Sequence, residues 1–203
     1  EGKRMSCALE ETGLPYEPHV VSFSKNDQTT PEFLSLNPNN KIPAIIDPDG
    51  PGGQPLGLFE SGAILLYLAD KFSAFLPKDR GKRTEALNWL FWQMGSAPYL
   101  GGGFGHFYAY APTKIEYAID RFAMEVKRQL DVLDRELAGK KFIAGDEYSI
   151  ADIAIAPWLR QLEAYGVRDL VGWGDLTHVP AYLERFLARP AVQRGLNIPA
   201  REG

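Results

Sequence analysis

A small α/β domain followed by an all-helical one is the fold class that this 203-residue sequence predicts. Three observations carry that reading. Up to residue 73, helix-like stretches alternate with short β-rich runs, divided by turn clusters of Gly, Pro and Asn. Phe72 to Gly81, with Pro77, is a polar, turn-bearing connection. Beyond it, apolar residues recur at helical spacing to the end of the chain. The expected division is a first domain at 1–73, a linker at 74–81 and a helical domain at 82–203.

Each element follows from its residues. Gly2 to Thr12 reads as a short helix closed by Gly13. Tyr16 to Phe23 is β-rich and reads as a strand. Ser24 to Thr30 is a polar loop, and Pro31-Glu32-Phe33-Leu34 opens a short helix with proline in its first turn. Asn37-Pro38-Asn39-Asn40 is a loop by turn chemistry. Ile42-Pro43 leads into the strand Ala44-Ile45-Ile46, and a Gly/Pro loop leads to a second strand ending at Leu58-Phe59. Glu60-Ser61 opens the helix Gly62 to Asp70. The order helix, strand, helix, strand, strand, helix is the thioredoxin-like pattern without its first strand.

In the helical part, Lys82 to Met94 carries Leu87, Leu90, Phe91 and Met94 on one face. Gly101-Gly102-Gly103-Phe104-Gly105-His106 then interrupts. It is not a phosphate loop: no strand precedes it, no Gly-Lys-Ser/Thr follows and the GxGxxG spacing fails. Tight backbone packing or a kink is the expected role. Pro112 to Leu137 is the clearest helix, with Ile115, Ile119, Phe122, Val126, Leu130, Leu133 and Leu137 as one buried stripe. Ser149-Ile150-Ala151-Asp152 reads as a capping box before the helix Ile153 to Tyr165, so Asp152 is assigned to folding. Val179 to Leu187 is a last amphipathic helix.

Bulk properties narrow the function. The chain is 45% hydrophobic and 24% charged, enough to bury a sizeable core. A net charge of −4 and a pI near 5.5 count against nucleic acid or an anionic membrane as partner. No apolar run approaches the ~20 residues that span a bilayer, and no signal peptide is visible, so the expected location is cytoplasmic. A single cysteine, Cys7, excludes an internal disulfide and a CxxC dithiol, and fits a reducing compartment. Cys7 lies near a helix start, where a thiolate would gain from the dipole; it also suits a small buried position on the helix's inner face. His19, His106 and His178 are far apart, so no metal site is expected. No GxSxG nucleophile elbow occurs.

The stretch Asn37 to Tyr67 carries the chemistry. Pro43 at a strand's first residue removes one backbone donor. It is either a plain loop-to-strand proline or a cis proline in a tight turn, which would expose neighbouring backbone groups to an extended peptide. Glu60 and Ser61 stand at a helix N-terminus, whose free N–H groups and positive end suit a carboxylate. Ser61 adds a hydroxyl and Glu60 a partner for an ammonium, which together match an amino acid's zwitterion. Simple capping by Ser61 is the alternative.

Asn39-Asn40-Lys41-Ile42-Pro43-Ala44-Ile45 and Phe59-Glu60-Ser61-Gly62-Ala63-Ile64-Leu65-Leu66-Tyr67-Leu68 resemble the glutathione-binding domain of glutathione transferases. The resemblance extends over the whole chain. Asn88-Trp89-Leu90-Phe91-Trp92-Gln93, Gly101 to Tyr108, Ile115 to Phe122 and Gly145 to Asp152 are similar to the bacterial nu class, the YghU/YfcG type, itself related to the yeast nitrogen-regulating prion protein. Arg189-Pro190-Ala191-Val192 resembles the family's closing turn.

The resemblance implies a glutathione transferase fold. It implies a cis Pro43, backbone contacts to glutathione at Lys41 and Ile42, the γ-glutamyl end held by Glu60 and Ser61, and a family glutamine at Gln28. It also implies a homodimer in which Arg121 reaches the partner subunit's glutathione site, and binding of two glutathiones or glutathione disulfide. The implied activity is reduction of small disulfides by glutathione, the co-substrate, without a protein cysteine. In relatives a threonine followed by Pro-Asn-Gly activates the thiol. Here Gly2 matches that glycine and Glu1 stands in the place of the asparagine, so the activating group is expected before Glu1. A carboxylate beside a thiolate raises its pKa, which leaves Glu1 to face solvent or to meet the ligand's ammonium group. Two other functions remain open. A conventional conjugating transferase needs an apolar pocket for an electrophile, with Phe107, Tyr108, Tyr110, Trp158 and Tyr165 as candidate walls that also suit packing. A glutathione-binding regulator would bind without turnover.

Overall fold

The computed structural model describes residues 2–199, the side chains of 97 and 98 apart. In chain order its helices are α1 (Gly2–Thr12), α2 (Pro31–Leu36), α3 (Ser61–Phe72), α4 (Arg80–Ala97), α5 (Glu116–Glu136), α6 (Ile150–Ala164), α7 (Val179–Leu187) and α8 (Pro190–Gly195), with strands β1 (Ala44–Asp47) and β2 (Leu56–Phe59) between α2 and α3. Two compact units result, Glu1–Ala74 together with Pro190–Gly203, and Phe75–Arg189. The last segment groups with the first unit, whereas sequence patterning carries the helical domain on to residue 203.

In the first unit β1 and β2 form an antiparallel ladder with Ala44 opposite Phe59 and Asp47 opposite Leu56. Met5, Cys7 and Ala8 of α1 are buried, as are Ile64, Leu65, Leu68 and Ala69 of α3. Helix α8 lies tightly on α1. A Cβ on Gly195 would stand 2.6 Å from the Cα of Cys7, and Ser6 Oγ donates to the Gly195 carbonyl at 2.7 Å. Only a glycine lets the two backbones come this close.

One expected element is corrected. Tyr16 to Phe23 forms no strand; it runs on into short 3₁₀ turns at Phe23–Lys25 and Asp27–Thr29. A strand is held by its ladder, and among the described residues β1 and β2 pair only with each other. β-Propensity without a neighbour does not make a strand.

In the second unit, Leu90 of α4, Val126, Leu130 and Leu133 of α5, and Ile153, Leu159 and Leu162 of α6 are buried. Helix α5 begins at Glu116, so Ile115 precedes it and is 49% exposed rather than part of the stripe. Phe91 likewise departs from its expected face and is 64% exposed. The glycine-rich run is a π-helix, Pro98–Tyr110, whose close approaches bear out the tight packing. A Cβ on Gly101 would meet the Trp158 ring at 2.2 Å, one on Gly103 the Phe122 ring at 2.2 Å, and one on Gly105 the Tyr165 hydroxyl at 2.6 Å.

Asp152 is fully buried and accepts from the amides of Ile143 and Ser149, the Ser149 hydroxyl and the Tyr182 hydroxyl. The capping box read from sequence is therefore present. Burial pushes the Asp152 carboxyl above the usual range, against the pull of those hydrogen bonds.

Candidate functional site

The first turn of α1 brings together the two halves of the predicted site. At one end a Cβ on Gly2 would stand 3.8 Å from Ile42 Cδ1. At the other, Arg4 Nη1 donates to Ser61 Oγ at 3.0 Å. Thus the loop before β1 and the start of α3 both border the beginning of α1.

The loop is held from within. Asn37, 2% exposed, donates through Nδ2 to the Lys41 carbonyl at 2.6 Å and accepts the Asn39 amide on Oδ1 at 2.9 Å. Lys41 is exposed, Ile42 half-buried and Pro43 buried. The Ile42-Pro43 peptide is cis, the alternative that the resemblance selects.

At α3, Ser61 is the first helical residue and is 5% exposed. Glu60, in the cap position, is exposed, makes no side-chain capping bond and has φ 68° and ψ 116°. A non-glycine residue in this region carries strain of about 1–3 kcal/mol, which persists chiefly where function requires the geometry. Simple capping by Ser61 is not what the structure holds: Ser61 lies inside the helix and accepts from Arg4. Gln28 sits in the 3₁₀ turn Asp27–Thr29, half-buried, and its Oε1 is enclosed without a hydrogen-bond partner. Such an acceptor calls for a donor.

Arg121 stands exposed on α5 in the second unit. Glu1 lies outside the described residues. Cys7 is 0% exposed, its thiol facing the Val192 carbonyl at 3.9 Å. Among the described residues no three of His, Cys, Asp and Glu gather as metal ligands, and no helix is long and apolar enough to cross a membrane. The aromatic candidates for an electrophile pocket are largely engaged in packing. Phe107 stacks on Phe122 at 5.6 Å, and Tyr110 meets Tyr165 edge-on at 5.9 Å. Burial, with Tyr110 beside it, pushes the Tyr165 hydroxyl up to about 12, so it stays protonated at neutral pH.

Residues 2–70 match the family described as Glutathione S-transferase, N-terminal domain, and residues 116–189 match Glutathione S-transferase, C-terminal domain. The Disulfide-bond oxidoreductase YghU of Escherichia coli (strain K12) is 51% identical over 203 residues, which cover 96% of this chain and 70% of that protein.

The chain belongs to the glutathione transferase family.

Solved relatives agree in structure. A glutathione transferase from Burkholderia graminis, with two glutathione molecules bound per subunit, superposes with a TM-score of 0.95 at 53% identity, over 98% of this chain and 85% of the other. One from Pseudomonas putida, with one glutathione disulfide bound per subunit, gives 0.94 at 52% identity, over 98% and 87%. The chain therefore has the glutathione transferase fold, a thioredoxin-like domain and a helical domain, with a two-stranded sheet in the described residues.

Two residues of this glutathione transferase escaped the sequence reading. Arg4 is 1% exposed, although arginine is rarely buried. Its signal was spacing, since positions 4, 7 and 8 share a helical face and Cys7 and Ala8 are apolar. Asn37 looked like ordinary turn composition, and nothing local distinguishes a buried loop-organising asparagine from an exposed one.

Proposed function

We propose that this glutathione transferase reduces small disulfides with glutathione, the thiol of glutathione serving as the nucleophile. The observation that carries the reading is the pair of ligand states in close relatives. One holds two glutathiones and another glutathione disulfide, which are the reductant and the oxidised product of such a reaction. The name of the Escherichia coli relative points the same way. The enclosed Cys7 supports a cycle without a protein thiol.

The reaction balances as two exchanges. A glutathione thiolate attacks one sulfur of the substrate disulfide, a mixed disulfide forms and the other sulfur leaves as a thiolate. A second glutathione thiolate attacks the glutathione sulfur of the mixed disulfide and releases the remaining thiolate. The two substrate thiolates take up the protons lost by the two glutathiones. Glutathione is oxidised to its disulfide and the substrate is reduced.

In this reading the cysteinyl backbone of glutathione pairs with backbone groups of the loop at Lys41, Ile42 and Pro43. The γ-glutamyl carboxylate meets Ser61 and the first N–H groups of α3, and Glu60 takes the ammonium. Gln28, with its unsatisfied carbonyl oxygen, accepts from a ligand amide. The protein works as a homodimer in a reducing, cytoplasmic setting, with Arg121 completing the partner subunit's site. Exposed Phe91, Tyr117 and Met124, at 64%, 80% and 67%, support a covered face on α4 and α5.

The test is turnover of a small model disulfide with glutathione, coupled to NADPH through glutathione reductase, using full-length protein. Turnover that persists in Cys7→Ala is expected. Loss of turnover in Cys7→Ala overturns the mechanism. Absent turnover with conjugation of an aromatic electrophile indicates a conventional transferase, and binding without either reaction indicates a regulator.

A further inference from the structure

Asn37 closes α2, where its own N–H donates to the Phe33 carbonyl at 2.8 Å. Its side chain is enclosed, at 2% exposed, and serves the loop that follows. Oδ1 accepts the Asn39 amide at 2.9 Å, the backbone carbonyl accepts the Asn40 amide at 3.1 Å, and Nδ2 donates to the Lys41 carbonyl at 2.6 Å. The bond to Lys41 also orients the next residue. In a trans peptide the C=O and the N–H point in opposite directions. The Lys41–Ile42 peptide is trans, since the cis bonds of the described residues are Ile42-Pro43 and Ile198-Pro199. With the Lys41 carbonyl drawn to Asn37, the Ile42 N–H points the other way. Among the described residues no partner takes that N–H. A turn of this peptide plane would leave the Cα positions in place and present a carbonyl there instead. The bond to Asn37 holds the plane with its donor facing away from the buried side chain.

We propose that Asn37 is a positioning residue for the cysteinyl backbone of glutathione: by fixing the Lys41 carbonyl, without touching the ligand, it presents the Ile42 N–H as a ready donor to the cysteinyl carbonyl. An amide side chain can accept from Asn39 and donate to Lys41 at once, whereas a carboxylate can only accept. The proposal rests on the glutathione reading above, and the experiment separates the two.

Dissociation constants are measured by calorimetry for two probes. One is glutathione. The other is the isostere whose cysteinyl-glycine peptide bond is a trans alkene, which keeps the shape and lacks the carbonyl. Three proteins are compared: wild type, Asn37→Ala and Asn37→Asp. Wild type is expected to prefer glutathione by about tenfold. In both variants the peptide plane is free to turn. With the donor facing the ligand about a tenth of the time, glutathione binding weakens about tenfold, alkene binding changes little and the preference disappears. Asn37→Asp keeps the turn bond to Asn39, so its loss of preference isolates the donation to Lys41.

Equal loss for both probes in the variants means a merely structural role and overturns the proposal while leaving the glutathione site intact. A preference kept in Asn37→Asp overturns it too, because the turn bond then suffices, as does a wild type that does not discriminate the probes. A wild type that binds neither probe overturns the glutathione reading itself. Should both variants fail to fold, solvent exchange read by NMR on the unmutated protein decides. The Ile42 amide should exchange readily in the free protein and slow on saturation with glutathione but not with the alkene, while the Asn37 side-chain amide stays protected throughout. An Ile42 amide protected before ligand is added, equal slowing by the two probes or a freely exchanging Asn37 side chain sinks the idea.

Discussion

At the residue scale, the site combines groups that a purely structural design would avoid. Gln28 encloses an acceptor without a donor, and Glu60 holds a positive φ. Each costs stability that the fold must offset elsewhere, and each makes sense if a ligand supplies the missing partner. Gln28→Met, similar in shape and without the orphaned oxygen, is expected to stabilise the free protein by about 1 kcal/mol, or roughly 2–4 °C in Tm for a chain of this size. The same change should weaken glutathione severalfold; a calorimetric scan and a binding titration check the two halves. Asp152 has the opposite character, since all its oxygens' partners are internal. Asp152→Ala would strand the amides of Ile143 and Ser149 and the Tyr182 hydroxyl. A loss on the order of 3 kcal/mol is expected, read from chemical denaturation.

At the element scale, the glycines of the π-helix are not equivalent. Gly101 and Gly105 face Trp158 and Tyr165, whereas Gly103 faces Phe122 of α5. Gly103→Ala should cost about 1–3 kcal/mol, because the added carbon would enter an aromatic ring. Gly102 has nothing within 4 Å, so Gly102→Ala is expected to be neutral or to stabilise by a few tenths of a kcal/mol. Equal melting points for the two variants would contradict this account. Helix α7 depends on a residue far away in sequence. Asp134 of α5 accepts from the amides of Thr177, His178 and Val179 at 3.1, 2.7 and 2.8 Å. Partial burial pushes its carboxyl up, but the three amides outweigh burial and hold it below the usual value. With the folded pKa below the unfolded one, near ~3.9, the unfolded state binds the proton more readily. The contribution is therefore present above about pH 4 and fades as pH falls through the lowered folded pKa. Asp134→Asn should lower Tm at neutral pH and flatten the acid side of the stability profile; an unchanged acid limb would remove the assignment.

At the scale of the whole molecule, Arg121, exposed on α5, is proposed to reach the partner subunit's site. Arg121→Ala is expected to weaken glutathione severalfold while sedimentation still reports a dimer; unchanged affinity would end that assignment. The two-domain fold, the positions of α3, α5 and α7 and the capping box at Ser149-Asp152 were legible in the sequence because each rests on local rules: periodicity, turn chemistry and caps. Glu60, Ser61, Lys41, Ile42 and Pro43 were legible as a cluster because they lie within one contiguous stretch. Neither the missing ladder beside Tyr16–Phe23, the docking of α8 on α1 nor the exposure of Phe91 could be read that way. Each depends on which surfaces meet across long separations in the chain, and hydrophobic pattern does not name its partner. The same holds for Arg4: sequence alone places an arginine on a helix, and only the packing of α1 against α3 makes it a buried donor to Ser61. Local pattern thus determined the elements and the character of the site, while tertiary contact decided which polar groups are enclosed, and enclosure is what makes a charge or a hydroxyl consequential.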